Sequence, residues 1–129
     1  METALEYMAN LHPSLANDYK TPNGAYKESC SGIAINLAKR LLDEGKIPYI
    51  AEIHGKFIDD ANRKPIVPKQ YNGRISWGAH QICCVDNLVY DPMISPKPIT
   101  LDEYFQVAFE DEIEMEVLMN RDRVRKCIH

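Results

Sequence analysis

Reading on from Cys30, apolar residues return at Ile33, Ala34, Leu37, Ala38, Leu41 and Leu42, while Asn36, Lys39, Arg40 and Asp43 fall between them. Only a helix gathers those apolar positions into one stripe, so the stretch predicts an amphipathic helix that must bury one side against another layer. Ser29 is placed to act as its N-cap and Gly45 as its stop. Cys30 lies three to four residues before Ile33 and Ala34, on the side of the stripe and at the positive end of the helix dipole. Unpaired backbone N–H groups at that end favour thiolate over thiol, as a nucleophilic cysteine requires. A packed, unreactive thiol is the plainer use of such a position, and the partners of Cys30 must decide between the two.

The remaining elements follow in order. Glu2 to about Asn10 predicts a short helix with Leu5, Met8 and Ala9 inward, ended by His12-Pro13, with His12 on the surface. Leu15 and Ala16 start at most one further turn, and Asn17 to Glu28 reads as a loop. Ile47 to His54 predicts a strand closed by Gly55, with Pro48 tolerable only near its start or at an edge. Lys56 to Arg74, with two prolines and one glycine, is long for a structureless connection; a lid and a decorated surface loop are both open readings. Ile75–Val85 and Leu88–Asp91 predict two strands joined by a two-residue Asp86-Asn87 turn of the kind that tolerates positive φ. After a proline-rich loop, Thr100-Leu101-Asp102-Glu103 forms a capping box for a helix burying Leu101, Tyr104, Phe105 and Ala108 or Phe109. Ile113, Met115 and Val117 alternate with Glu112, Glu114 and Glu116, so a last strand with one wet face runs to about Met119. The basic stretch Arg121 to Lys126 reads as a solvated end. The order predicts an α+β fold with the cysteine helix packed on an antiparallel sheet.

A chain of 129 residues fits a single domain over 1–129, its core about 29–119. A net charge of −4 argues against nucleic acid or a membrane surface as partner. No apolar run has the length to cross a bilayer and the acidic start carries no signal-peptide pattern, so a cytoplasmic protein with reduced thiols is expected, or an effector delivered into a target cell by a route that leaves no cleavable mark. Four cysteines also raise a zinc alternative, built from Cys30, His80, Cys83 or Cys84, and Cys127 or His129. Against it, Cys83 and Cys84 are adjacent on a strand and should point to opposite faces, and no C-x-x-C occurs. No metal or cofactor is required by the reading below.

The tight turn fixes a register. If Asp86 and Asn87 form it, Val85 pairs with Leu88 and Ile82 lies opposite Asp91. His80 shares the face of Ile82, so His80 and Asp91 become diagonal neighbours on one side of the sheet. A carboxylate at that separation can orient an imidazole. A histidine so held and a cysteine at a helix start are the parts of nucleophilic acyl-transfer chemistry. Cys30 would attack an amide or thioester carbonyl and His80 would shuttle the proton. Asp91 would fix the ring, and the Cys30 backbone N–H would help form an oxyanion hole. Trp77 would wall the substrate site beside His80 or anchor the core.

Cys30-Ser31-Gly32-Ile33-Ala34, Leu41-Leu42, Gly45-Lys46-Ile47-Pro48, Trp77-Gly78-Ala79-His80 and Val89-Tyr90-Asp91-Pro92 together resemble the transglutaminase-like, papain-fold cysteine enzymes. In those the cysteine opens a helix, the histidine starts a strand and an aspartate-proline ends the next. The compact bacterial branch, with papain-fold toxin domains and protein-glutamine deamidases, is nearest in pattern, and small peptidases that mature lasso-peptide precursors are similar. The resemblance spans about Ser29 to Pro92. It implies a papain/transglutaminase-like core and a Cys30–His80–Asp91 triad. Papain-like proteases commonly carry an oxyanion-hole glutamine shortly before the cysteine, and this chain has none before Gln70; Asn23, Tyr26 or Asn17 would have to substitute. Asp91, where papain itself has asparagine, favours the transglutaminase-like side.

The expected function is a cysteine hydrolase acting on an amide of a protein or peptide, as an effector- or toxin-type glutamine deamidase or a narrow-specificity protease. Its partners would be that substrate and a cognate immunity or target protein. The rival is a non-catalytic binding module that keeps the fold.

Overall fold

The computed structural model describes residues 2–18, 30–71, 73 and 75–128, for 16–18 the backbone only. Among these the fold is mixed α+β, with four helices and a five-stranded antiparallel sheet. The elements are α1 (Ala4–Asp18), α2 (Cys30–Asp43), β1 (Tyr49–Gly55), β2 (Ala79–Val85), β3 (Leu88–Tyr90), β4 (Ile99–Thr100), α3 (Leu101–Val107), β5 (Ile113–Met119) and α4 (Arg121–Ile128). The strands lie in the order β4-β3-β2-β1-β5. Apolar side chains of α1, α2 and α4 cover one face of the sheet with Ile50, Cys83 and Tyr90. Tyr104 and Ala108 of the α3 region cover the other with Ala51, Ile53, Ile82, Cys84 and Val89. Cys83 and Cys84 therefore do point to opposite faces.

The stripe of α2 is buried at Ile33, Ala34, Leu37, Ala38 and Leu41. Gly45 ends the helix at φ +84°, donating to Leu42 O (3.0 Å) while Lys46 N–H reaches Leu41 O (2.9 Å), a paired closure that needs a left-handed residue at Gly45. Arg40, placed by spacing on the wet side, instead stacks over the Tyr7 ring at 4.1 Å and pairs with Glu2, tying α2 to α1. The Ser29 cap lies outside the described residues.

Four expectations are corrected by packing. α1 does not stop at His12-Pro13 but runs through Pro13 to Asp18. Its apolar stripe Ala4, Tyr7, Met8, Leu11, Leu15 continues past the proline, and burying Leu15 offsets the missing backbone bond. Thr3 and Glu6 cap it reciprocally, each side chain accepting the other's N–H at 3.1 Å. The basic end is not a solvated tail but α4, whose Val124 is fully buried against the α1/α2 layer. Its sequence signals are Asn120, which caps the Arg123 N–H at 3.0 Å, and Arg125 and Lys126 in the last turn. β2 begins at Ala79 rather than Ile75, because Trp77 pairs with Ile66 of the preceding segment instead of with β1. Phe105, Val117 and Leu5, expected inward, are 41%, 50% and 51% exposed, and Ala9 is exposed as well. The short α3 buries only Tyr104, with Ala108 just beyond it, and β5 is an edge strand whose pairing with β1 shifts between Ile50 and Ala51.

The 56–74 connection is built rather than loose where it is described. It extends β1 as a hairpin through the Phe57–Arg63 bridge, and Gly55 is required there because a Cβ would sit 1.9 Å from Lys64 O. It then straps back, with Ile66 and Trp77 exchanging two bonds of 2.8 Å and Lys69 N–H bonding Ala108 O at 3.0 Å. Two-residue turn chemistry holds at Asp86, which has φ +52°.

Candidate active site

The register deduced for the hairpin is the register found: Val85 pairs with Leu88, Cys84 with Val89 and Cys83 with Tyr90. This brings His80 and Asp91 together, with His80 Nε2–H donating to Asp91 Oδ2 at 2.8 Å. Both are almost wholly buried, at 2% and 4% exposed. With Nε2 committed to Asp91, Nδ1 is the ring nitrogen left for Cys30, whose sulfur is in hydrogen-bonding contact with the His80 ring and with the Gln81 backbone N–H. Cys30 opens α2 and His80 is the second residue of β2, so helix start and strand start meet.

Asp91 is held from every side. Oδ1 accepts the Met93 N–H (3.0 Å), and Oδ2 accepts the Tyr104 hydroxyl (2.8 Å) besides His80. Its backbone carbonyl accepts from Ile94 and Ser95. The turn after it is pinned in addition by His12, whose Nδ1–H donates to Pro92 O at 2.7 Å, and by Tyr71, whose hydroxyl donates to Met93 O at 2.6 Å. His12 is thus not the free surface residue that its place beside a proline suggested. Trp77 stacks on the His80 ring, 4.4 Å between centroids and 17° between planes, and Phe109 meets the ring edge-on at 6.4 Å. Trp77 therefore walls the imidazole and packs against both core clusters at once.

The electrostatics follow from this geometry. Burial alone would push the His80 pKa down, but the Asp91 carboxylate beside it, their hydrogen bond and the Cys30 contact hold it up at about 9. Burial pushes the Cys30 thiol up, and the His80 hydrogen bond, the Gln81 N–H and the imidazolium charge more than reverse that, leaving it below the ordinary value of 9.0. Both shifts favour a thiolate–imidazolium pair. Cys84, the nearby second thiol, is pushed up to about 12 by its burial and stays neutral.

The sign of the pH dependence is fixed by these shifts. The His80 contribution to stability is full below its ordinary value of 6.5 and is lost as the pH rises through about 9. The lowered Cys30 value acts in the opposite sense, its contribution being present above 9.0 and lost as pH falls through that lowered value. In Cys30→Ala the opposing cysteine contribution is gone while Asp91 still holds the His80 value up, so the thermal midpoint is expected to fall as pH rises above 6.5. The unmodified chain should fall less steeply over the same range, and equal slopes in the two proteins would contradict the pairing.

Of the other residues singled out from sequence, Asn23 and Tyr26 lie outside the described residues, and Asn17 is in the last turn of α1 with its side chain outside them. Among the described residues the zinc grouping does not assemble: Cys83 and Cys84 face different clusters, Cys127 is exposed on α4, and no three His, Cys, Asp or Glu side chains converge to hold a metal ion, while His129 lies outside the described residues. Tyr104, Tyr71 and His12 were missed as site neighbours. The sequence signal for Tyr104 was only its place on the buried side of α3. Among the described residues no helix is long and apolar enough to cross a membrane. Comparisons with protein-family models, curated proteins and solved structures find no match to this chain.

Proposed function

We propose that the chain is a cysteine hydrolase that transfers the acyl group of a protein or peptide amide through Cys30, on a papain/transglutaminase-like core. The observation that carries this reading is a buried imidazole held between a carboxylate and a thiol at the start of a helix. The Cys30 thiolate attacks the amide carbon. The tetrahedral oxyanion is met by the Cys30 backbone N–H at the start of α2. The His80 imidazolium gives its proton to the departing amine or ammonia, and the C–N bond breaks. Water, deprotonated by the neutral His80, then attacks the thioester and releases the acid, returning the proton to the Cys30–His80 pair.

Deamidation of a glutamine side chain and scission of a peptide bond share this acyl-enzyme and differ in the amine that leaves. We favour a narrow protein target, of the kind met by effectors and toxin domains acting in a cytoplasm, with an immunity partner to restrain them.

Alkylation separates the hydrolase from a binding module that keeps the fold. Iodoacetamide at about pH 6 should modify Cys30 much faster than the exposed Cys127, and His80→Ala should erase the difference. Mass spectrometry of candidate targets then distinguishes a gain of about one dalton on glutamine from a clipped chain. An unreactive Cys30 would leave the binding module.

A further inference from the structure

Tyr104 is fully buried in α3, and its hydroxyl donates to Asp91 Oδ2 at 2.8 Å. His80 Nε2 lies at the same distance from that same oxygen. A phenylalanine would fill this core position with no polar group to strip of water, so the hydroxyl is justified only by the bond it makes. Each donor on Oδ2 draws off part of the carboxylate's charge, and the remainder sets how strongly Asp91 holds the His80 proton. That hold has two opposed demands. The imidazolium must persist long enough to keep Cys30 a thiolate, yet must surrender its proton to the leaving amine.

We propose that Tyr104 is a positioning residue of this site: by sharing Asp91 Oδ2 with His80 it fixes the carboxylate and limits how tightly the imidazolium proton is held. The inference rests on the reading of Cys30, His80 and Asp91 as a reactive set. It concerns a residue whose hydroxyl acts through Asp91. Among the described residues the groups facing His80 are Cys30 from α2, Asp91 from the turn after β3, and the uncharged rings of Trp77 and Phe109. Burial and the adjacent Asp91 charge keep the Tyr104 phenol protonated, so it stays a donor throughout the range in which His80 titrates.

The test is a histidine-ring NMR titration of the full chain, read beside the rate of Cys30 alkylation. In Tyr104→Phe the His80 midpoint is expected to rise by about one pH unit, because the undivided carboxylate holds the proton harder. A 3-fluorotyrosine placed at position 104, a stronger donor of nearly the same size, should lower the midpoint. It decides the matter even where Tyr104→Phe fails to fold. Unmoved midpoints in folded protein would overturn the inference and reduce Tyr104 to packing. Ordinary titration of His80 together with an unreactive Cys30 in the unmodified chain would instead overturn the hydrolase reading, so the two failures are distinct.

Discussion

Cys30→Ala is expected to abolish turnover, lowering kcat/KM on the order of a thousandfold or more, while the folded state survives. The activity loss follows because no other thiol can take its place. Cys83 and Cys84 are buried, Cys83 on the α2 side of the sheet, and Cys127 lies on α4. The fold survives because Cys30 is only half-buried at the first position of α2, where alanine is an excellent helix former, and the stripe from Ile33 to Leu41 is untouched. Product formation by mass spectrometry and thermal unfolding, measured on the same preparation, check both halves. Turnover that persists in the alanine variant would refute the nucleophile, and a collapsed fold would mean the residue is structural after all.

Asp91→Ala should be the most damaging single change to stability near the site, costing about 3–5 kcal/mol. It removes the acceptor of three donors at once: the His80 ring N–H, the Tyr104 hydroxyl and the Met93 N–H. All three bonds are buried, so water cannot replace the lost carboxylate without opening the core. Removal of the charge also withdraws what holds the His80 pKa up, and burial then drives the ring to its neutral form. Fast alkylation of Cys30 should disappear with it. Asp91→Asn keeps the shape and one acceptor oxygen; it should lose the alkylation advantage with a smaller stability cost. Denaturant unfolding of both variants measures the difference. An alanine variant within about 1 kcal/mol of the parent would show that the three donors find other partners.

The parts of the molecule legible in the sequence are local, and two of them bear on the site. The α2 stripe and its Gly45 stop follow from 3.6-residue periodicity and from the conformational freedom of one glycine. The pairing of His80 with Asp91 follows from a two-residue turn and the alternation of side chains along a strand, which leave one register. Where local rules were misleading, burial had overruled them. Pro13 stays inside α1 because Leu15 continues a buried stripe, and the basic end folds into α4 because Val124 has a pocket to fill. Neither compensation is visible in the residues that carry the rule.

The sequence by itself determined which side chains can do chemistry and the short-range geometry of the His80–Asp91 pair, since which residues share a face and lie diagonally across a hairpin is fixed by counting. Only the tertiary structure decided that the Cys30 sulfur reaches that imidazole, that Trp77 lies flat on it, and that Tyr104 shares the aspartate's oxygen. Those contacts join elements distant along the chain. Their positions depend on how a helix layer and a twisted sheet bury their apolar faces together, which no single segment encodes.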